Sequence, residues 1–302
     1  MITHGMPRNA LRRSRSAAWG WMRDPQLATA AGLIGLLVAV AVLGPVLWDQ
    51  DAVGIDLGAT LQAPSWAHPM GTDDLGRDVF ARFMSGARIS LTIGLVAVLA
   101  GSVIGGAIGL LAGALSGAID LVSMRVMDAI LAFPPLILAM AVTVGLGAGL
   151  TSAAIGIVLT SIPFYARLTR ADVVRIRSAN YIEAAGTLGA TRMRVICRHI
   201  VPNAIVSVPI LAAANFGYVI LTLAALGFVG LGAQIPTPEW GAMITQGQEV
   251  MLTGAWWIGV FPGLGLLIAV TATSILADRV RDLLDPSGRR AGGALSVKET
   301  AP

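Results

Sequence analysis

"YIEAAGTLGATRMRVICRHIVPN", residues 181–203, stands between two long apolar runs and has a helical period of its own. Asn180 followed by Glu183 fits a capping-box variant, with Asn at the N-cap and Glu at the third helical position. Tyr181, Ala184, Ala185 and Leu188 then fall at i, i+3, i+4 and i+7, so they share one face of a helix. Two of the four are alanines, which makes that face shallow enough for another surface to approach closely. Gly189 is placed to close the helix in the left-handed conformation that glycine adopts at little cost. Thr191 can cap a second helix, in which Met193, Ile196, Cys197 and Ile200 form an apolar stripe opposite Arg194 and Arg198. Pro202 suits the first turn of whatever follows. The stretch is predicted to be helix, glycine turn, helix, lying on a surface.

The flanks say which surface. The chain has 302 residues, 55% hydrophobic and 13% charged, with mean hydropathy +0.76. A soluble domain is about a quarter charged. The composition therefore predicts an all-α polytopic membrane protein, because backbone groups in lipid must be satisfied within their own segment. Six runs reach the ~20 residues a crossing needs: 26–48, 90–115, 129–146, 151–167, 204–232 and 255–277. The third and fourth come from one run that divides at "GLGAGLTS" (145–152). The first is long for a signal peptide and has no small-residue cleavage site, so it reads as a retained anchor.

Of the 21 basic residues, eighteen fall in 1–25, 116–128, 167–203 and the stretch after 277; the other three are Arg77, Arg82 and Arg88 in the 49–89 loop. By the positive-inside rule both termini and the quoted stretch are expected in the cytoplasm, with 49–89 outside. The expected organisation is a tail (1–25), a six-span domain (26–286) with an outer loop (49–89) and a cytoplasmic loop (167–203), and a second tail (287–302).

What the spans lack narrows the function. None of the six cores contains Asp, Glu, Lys, Arg or His, whereas transporters that run on proton relays keep ionisable groups in the membrane. Gly101, Gly105, Gly109 and Gly113 form one flat stripe for close helix packing, within the chain or between subunits. Pro134-Pro135, Pro163, Pro209 and Pro262 mark kinks in or beside spans. No Gly-Lys pair exists for a P-loop, and the single cysteine, Cys197, excludes an intrachain disulfide. His4, His68 and His199 are scattered, so an integral membrane enzyme has no acid–base constellation to stand on.

"GTDDLGRDVF" (71–80) clusters Asp73, Asp74 and Asp78, but without the alternating oxygens and distal Glu of a calcium loop. Thr72 or Asp73 is instead predicted to start a short helix that lays Leu75, Val79 and Phe80 along the membrane surface. Trp240, Trp256 and Trp257 read as interfacial anchors.

Composition leaves two readings of 181–203: a basic loop that sets topology among lipid headgroups, or a docking element for a soluble partner. Nucleic acid is disfavoured, since there is little aromatic interleaving. The residues do carry a resemblance. Glu183-Ala184-Ala185, three residues, Gly189, then Val201-Pro202 resembles the EAA motif of ATP-binding-cassette importer permeases, although His199 and Val201 stand where that family usually has Ile and Leu. "HPMGTDDLGRDVFARFMSGARISL" (68–91), "MRVMDAILAFPPLILAM" (124–140), "GFVGLGAQIPTPEWG" (227–241) and "LADRVRDLLDP" (276–286) are similar, in the same order, to the dipeptide, oligopeptide and nickel permease C subunits.

That resemblance implies a half-channel of the type I importer fold in a bacterial inner membrane. It would pair with a homologous permease, two ATPase subunits or one duplicated ATPase, and an extracytoplasmic binding protein, importing short peptides or a similar small solute by alternating access. Glu183, Ala184, Ala185 and Gly189 become the coupling positions, and Tyr181 and Leu188 on the same face complete the expected ATPase-docking set. Asp73, Asp74, Arg77 and Asp78 become the expected outer-face contacts with a partner. The chain is then not an enzyme and needs no cofactor of its own; ATP and magnesium belong to the partner ATPases. The competing reading is an ion-coupled transporter or channel acting without ATPases.

Overall fold

A computed structural model describes residues 24–284. The readings of the tails at 1–25 and 287–302, residues 24 and 25 aside, lie outside the described residues. The described chain is mostly helical, and an isolated bridge between Thr72 and Asp78 is the one β-type pairing in it. The helices are α1 (Pro25–Leu47), α2 (Val79–Leu115), α3 (Ala118–Leu131), α4 (Pro135–Leu146), α5 (Leu150–Arg177), α6 (Asn180–Thr187), α7 (Arg192–Val195), α8 (Val201–Ala204), α9 (Ser207–Phe228), α10 (Trp240–Val250) and α11 (Trp257–Leu284). A π-helical turn, Ile196–Ile200, joins α7 to α8.

Five of these segments are long and apolar enough to cross a membrane, and six if the bent pair α3–α4 counts as one. The predicted straight span at 129–146 is therefore corrected. The chain bends by 90° between α3 and α4, where Pro135, at the start of α4, has no N–H to continue the ladder. The predicted span at 90–115 begins eleven residues early, at Val79, so Arg82 and Arg88 lie in the first three turns of α2 and not in a loop. The start expected at 204 is broken into α8 and α9. Residues 167–177, expected in the cytoplasmic loop, are the last turns of α5.

The glycine stripe explains the largest helix–helix contact. A Cβ on Gly105 would lie 2.5 Å from the Ile162 carbonyl oxygen, one on Gly109 would collide with that of Ala166, and one on Gly113 would lie 2.7 Å from Val173 Cβ. Backbone thus meets backbone between α2 and α5, as dispersion-driven packing in lipid requires. The stripe is packed within the chain. Contacts rise together along both helices, from Gly101–Ser161 to Gly113–Val173, so α2 and α5 run parallel. The chain must then return across the molecule between them, and α3–α4 carries it back.

Gly44 meets Met84, and Gly265 meets Phe83 and Trp240. These contacts make α1 antiparallel to α2 and gather residues 48–84, 229–257 and the start of α11 at one end of the molecule, the loop end. The opposite, basic end holds Arg177, Arg192 and the pairing of Arg279 with Gln26 and Asp24.

Candidate functional site

At the basic end, residues 180–204 form a capped pair of short helices. α6 takes in Asn180 as its first residue, so the predicted N-cap moves to the preceding turn, where Ile182 N–H donates to Ala179 O at 2.9 Å. The helix closes as expected at Gly189, whose φ is +81°. Ala190 N–H donates to Ala185 O at 3.1 Å, the six-residue loop of a Schellman cap. Thr191 Oγ1 then accepts from Arg194 N–H at 3.4 Å and starts α7.

The predicted face is turned outward. Tyr181 is 50% exposed and Leu188 88% exposed, with Glu183 and Ala184 exposed and Ala185 half-buried. Ile182 points the other way, onto a cluster of Ala114, Val173, Ile176, Ile200 and Ala204. The second predicted stripe is corrected. Ile200 is buried and Ile196 half-buried, but Met193 and Cys197 are exposed. The π-turn adds width between 196 and 200 and rotates Cys197 away, while Val195 packs inward instead.

At the loop end, the aspartates expected to meet a partner are mostly spent inside the chain. Asp73 Oδ1 accepts from Leu75 N–H at 3.0 Å and Arg77 N–H at 2.9 Å. Its Oδ2 pairs with Arg77 Nε at 2.6 Å and Arg82 Nε at 3.4 Å. Asp78 caps α2 through Ala81 N–H at 2.7 Å and holds His68 Nδ1 at 2.7 Å. Asp73, Arg77 and Asp78 are all buried; Asp74 alone of the four is open, its side chain 51% exposed. The short helix expected at 72–80 is a bridged turn instead, because these bonds fold the segment back on itself.

Arg82, buried at the first turn of α2, donates to Ala52 O at 3.1 Å and Gln246 Oε1 at 3.2 Å. One guanidinium so ties the loop after α1, α2 and α10 together. The anchor reading is corrected at Trp240 and Trp257, which are buried and donate through Nε1 to Phe83 O and Thr72 O at 3.1 and 3.0 Å, while Trp256 is 49% exposed.

Two residues at this end were not singled out from the sequence. Trp66 is fully exposed at the tip of the loop, between Pro64 and Pro69. The turn that presents it is fixed by Ser65 N–H to His68 O at 2.9 Å and by the His68–Asp78 pair. Glu239 is fully buried and caps α10 by accepting from Gly241 and Ala242 N–H, both at 3.0 Å, and from Ser90 Oγ at 3.1 Å. Burial pushes its carboxyl above the ordinary range, and the three donors oppose that shift. Negative charge is favoured beside a helix start, but glutamate is not among the residues that usually cap one, so "PEWG" gave only a weak signal.

Between α1, α2, α9 and α11 lies a cavity of about 440 Å³ lined by residues such as Leu37, Leu95, Phe216 and Thr273. Its lining is almost wholly apolar, with Thr273 the one hydroxyl among the residues that line it.

Three sets of known proteins resemble this chain. Residues 105–290 match the family described as binding-protein-dependent transport system inner membrane component. The "Probable D,D-dipeptide transport system permease protein" of Escherichia coli (strain K12) is 40% identical over 278 residues, 92% of each chain. A glutathione transport system permease protein of Pectobacterium atrosepticum is 39% identical, covering 89% of each chain. A dipeptide transport system permease protein of Alkalihalophilus pseudofirmus is 38% identical, covering 84% of this chain and 83% of that one. Among solved structures, a chain of the MetNI methionine ABC transporter superposes with TM-score 0.54 at 21% identity, over 68% of this chain and 97% of that one. That likeness bears on the fold.

Proposed function

This chain belongs to the binding-protein-dependent transport system inner membrane component family, and from that premise we propose that it forms one membrane half of an importer of short peptides. Family membership makes it a permease subunit of an ABC importer in the inner membrane, working with a second permease, an ATPase and a binding protein. It sets aside both the enzyme and the ion-coupled readings. The finer assignments rest on the geometry. The exposed, shallow face of Tyr181, Ala184 and Leu188 beside a Schellman turn is the observation that carries them. A surface with two alanines and two protruding apolar side chains suits a groove in a soluble ATPase, and a lipid headgroup layer needs no such relief.

In this reading the basic end is cytoplasmic and the loop end faces out. ATP and magnesium are held in two ATPase chains or one duplicated chain. Nucleotide-driven closure moves the 181–203 segment, and the spans alternate between outward and inward openings. Asp74 and Trp66, two of the open residues of the outer loop, meet the binding protein. The solute class is argued from the relatives, whose names specify a D,D-dipeptide, glutathione and a dipeptide.

The experiment is reconstitution of the complex with its own ATPases, second permease and binding protein in liposomes. Uptake of a short peptide is expected to need ATP inside and loaded binding protein outside, and to survive collapse of proton and sodium gradients. Transport by this chain alone on an ion gradient would end the reading.

A further inference from the structure

A helix leaves its last carbonyls without an intrahelical donor, and at α2 those carbonyls are met from elsewhere. Ala112 O accepts from Ser116 N–H at 3.0 Å. Gly113 O accepts from Arg177 Nη1 at 2.6 Å. Ala114 O and Leu115 O both accept from Arg192 Nη2, at 3.1 and 2.7 Å. Two guanidiniums therefore complete the last turn of α2 and set positive charge at the negative end of its dipole.

Their positions in the chain matter. Arg177 is the last residue of α5, and Arg192 is the first residue of α7, three residues after Gly189. The link between 181–203 and α2 is thus direct, and the cluster of Ala114, Val173, Ile176 and Ile200 backs it with apolar contact. The far end of α2 is fixed as well, by the Asp78 cap and by Arg82. One helix of 37 residues, ~55 Å at 1.5 Å per residue, joins the docking segment to the outer loop.

Resting on the docking reading of the Tyr181–Leu188 face, we propose that Arg192, which lies outside that face and donates to α2, is a positioning residue of the transport cycle. It carries displacement of the docking segment into α2, and through the glycine stripe into α5, so that ATPase closure and binding-protein contact are felt at opposite ends of one rod. Its side chain sits at an exposed position, where a polar link adds little to stability. Geometry is what it supplies: one guanidinium nitrogen donating to two carbonyls at the end of a rigid element. Arg194, on the same short helix, is exposed and has no side-chain partner among the described residues. It makes the control.

The test uses the full complex in liposomes, with Arg192→Ala, Arg192→Lys and Arg194→Ala. Arg192→Ala is expected to keep its ATPases and its basal hydrolysis, and to lose stimulation by loaded binding protein by about tenfold, within the range of an allosteric coupling. Arg192→Lys, which keeps the charge but lacks the planar fork, is expected between wild type and Arg192→Ala, and Arg194→Ala at wild type. Unchanged stimulation in Arg192→Ala overturns the proposal. So does loss of the ATPases, which would place Arg192 in the docking surface itself, and so does an equal loss in Arg194→Ala. A wild-type complex that carries no ATPase would instead strike the function reading beneath it. A readout without variants is hydrogen exchange of residues 112–116 in the wild-type complex. Nucleotide is expected to change it, and exchange that ignores nucleotide overturns the proposal.

Discussion

Asp73 lies out of solvent, its Oδ2 between Arg77 and Arg82 and its Oδ1 accepting from two backbone amides besides. Removing one partner of a buried ion pair leaves charge that nothing compensates, at a cost of roughly 3–5 kcal/mol. Asp73→Ala is therefore expected to lower the thermal unfolding midpoint of the solubilised permease sharply. Asp74→Ala, one residue along and half in solvent, should stay within about 0.5 kcal/mol of wild type. Equal effects from the two would refute the division into buried frame and open residue. The acidic cluster itself was legible in the sequence, but its direction was not. Which carboxylate turns inward is decided by residues far along the chain, since Asp56 and Leu61 amides and the Ala52 carbonyl close over this turn. Trp240 and Trp257 misled for the same reason: an indole suits an interface as well as a buried donor site, and only the carbonyls of Phe83 and Thr72 distinguish them.

Elements were legible where their period was internal. The helix, turn and helix at 181–203 follow from spacing and from one glycine, and the cap at Gly189 forms as expected. Gly189→Leu meets open space, since nothing lies within 4 Å of its Cβ position. The cost is the left-handed backbone, about 1–2 kcal/mol for a side-chain-bearing residue. The variant is expected to insert normally yet lose co-purifying ATPase or solute-stimulated hydrolysis; unchanged coupling would count against the docking segment.

Gly109 is the opposite case, closed in by the Ala166 carbonyl. Gly109→Leu should force α2 and α5 apart and reduce the yield of folded, monodisperse permease, whereas Gly35→Ala, with nothing within 4 Å, should not. Comparable yields from both would mean that the stripe is not a packing surface. Helix ends were less legible than helices. Polar residues in the first three turns of α2 broke the apolar run, because their partners are loops distant in sequence. The bend between α3 and α4 was signalled by Pro134-Pro135, but its angle is set by packing on α5.

For the whole molecule, the count of crossings and the family were both within reach of sequence, and the connection between the two ends was not. Charge asymmetry named one end basic. It could not say that α2 runs from the capped 48–78 loop to the 181–203 segment, since that follows from contacts across 60 residues of chain. We propose that the Tyr181–Leu188 face seats in an ATPase while Trp66 meets the binding protein at the other end. Site-specific photo-crosslinking in intact cells tests it most directly, with a photoreactive residue placed at 188 or at 66. A permease–ATPase adduct is expected from position 188 and a permease–binding-protein adduct from position 66. An ATPase adduct from 66, or none from 188 in a complex that transports, would contradict it.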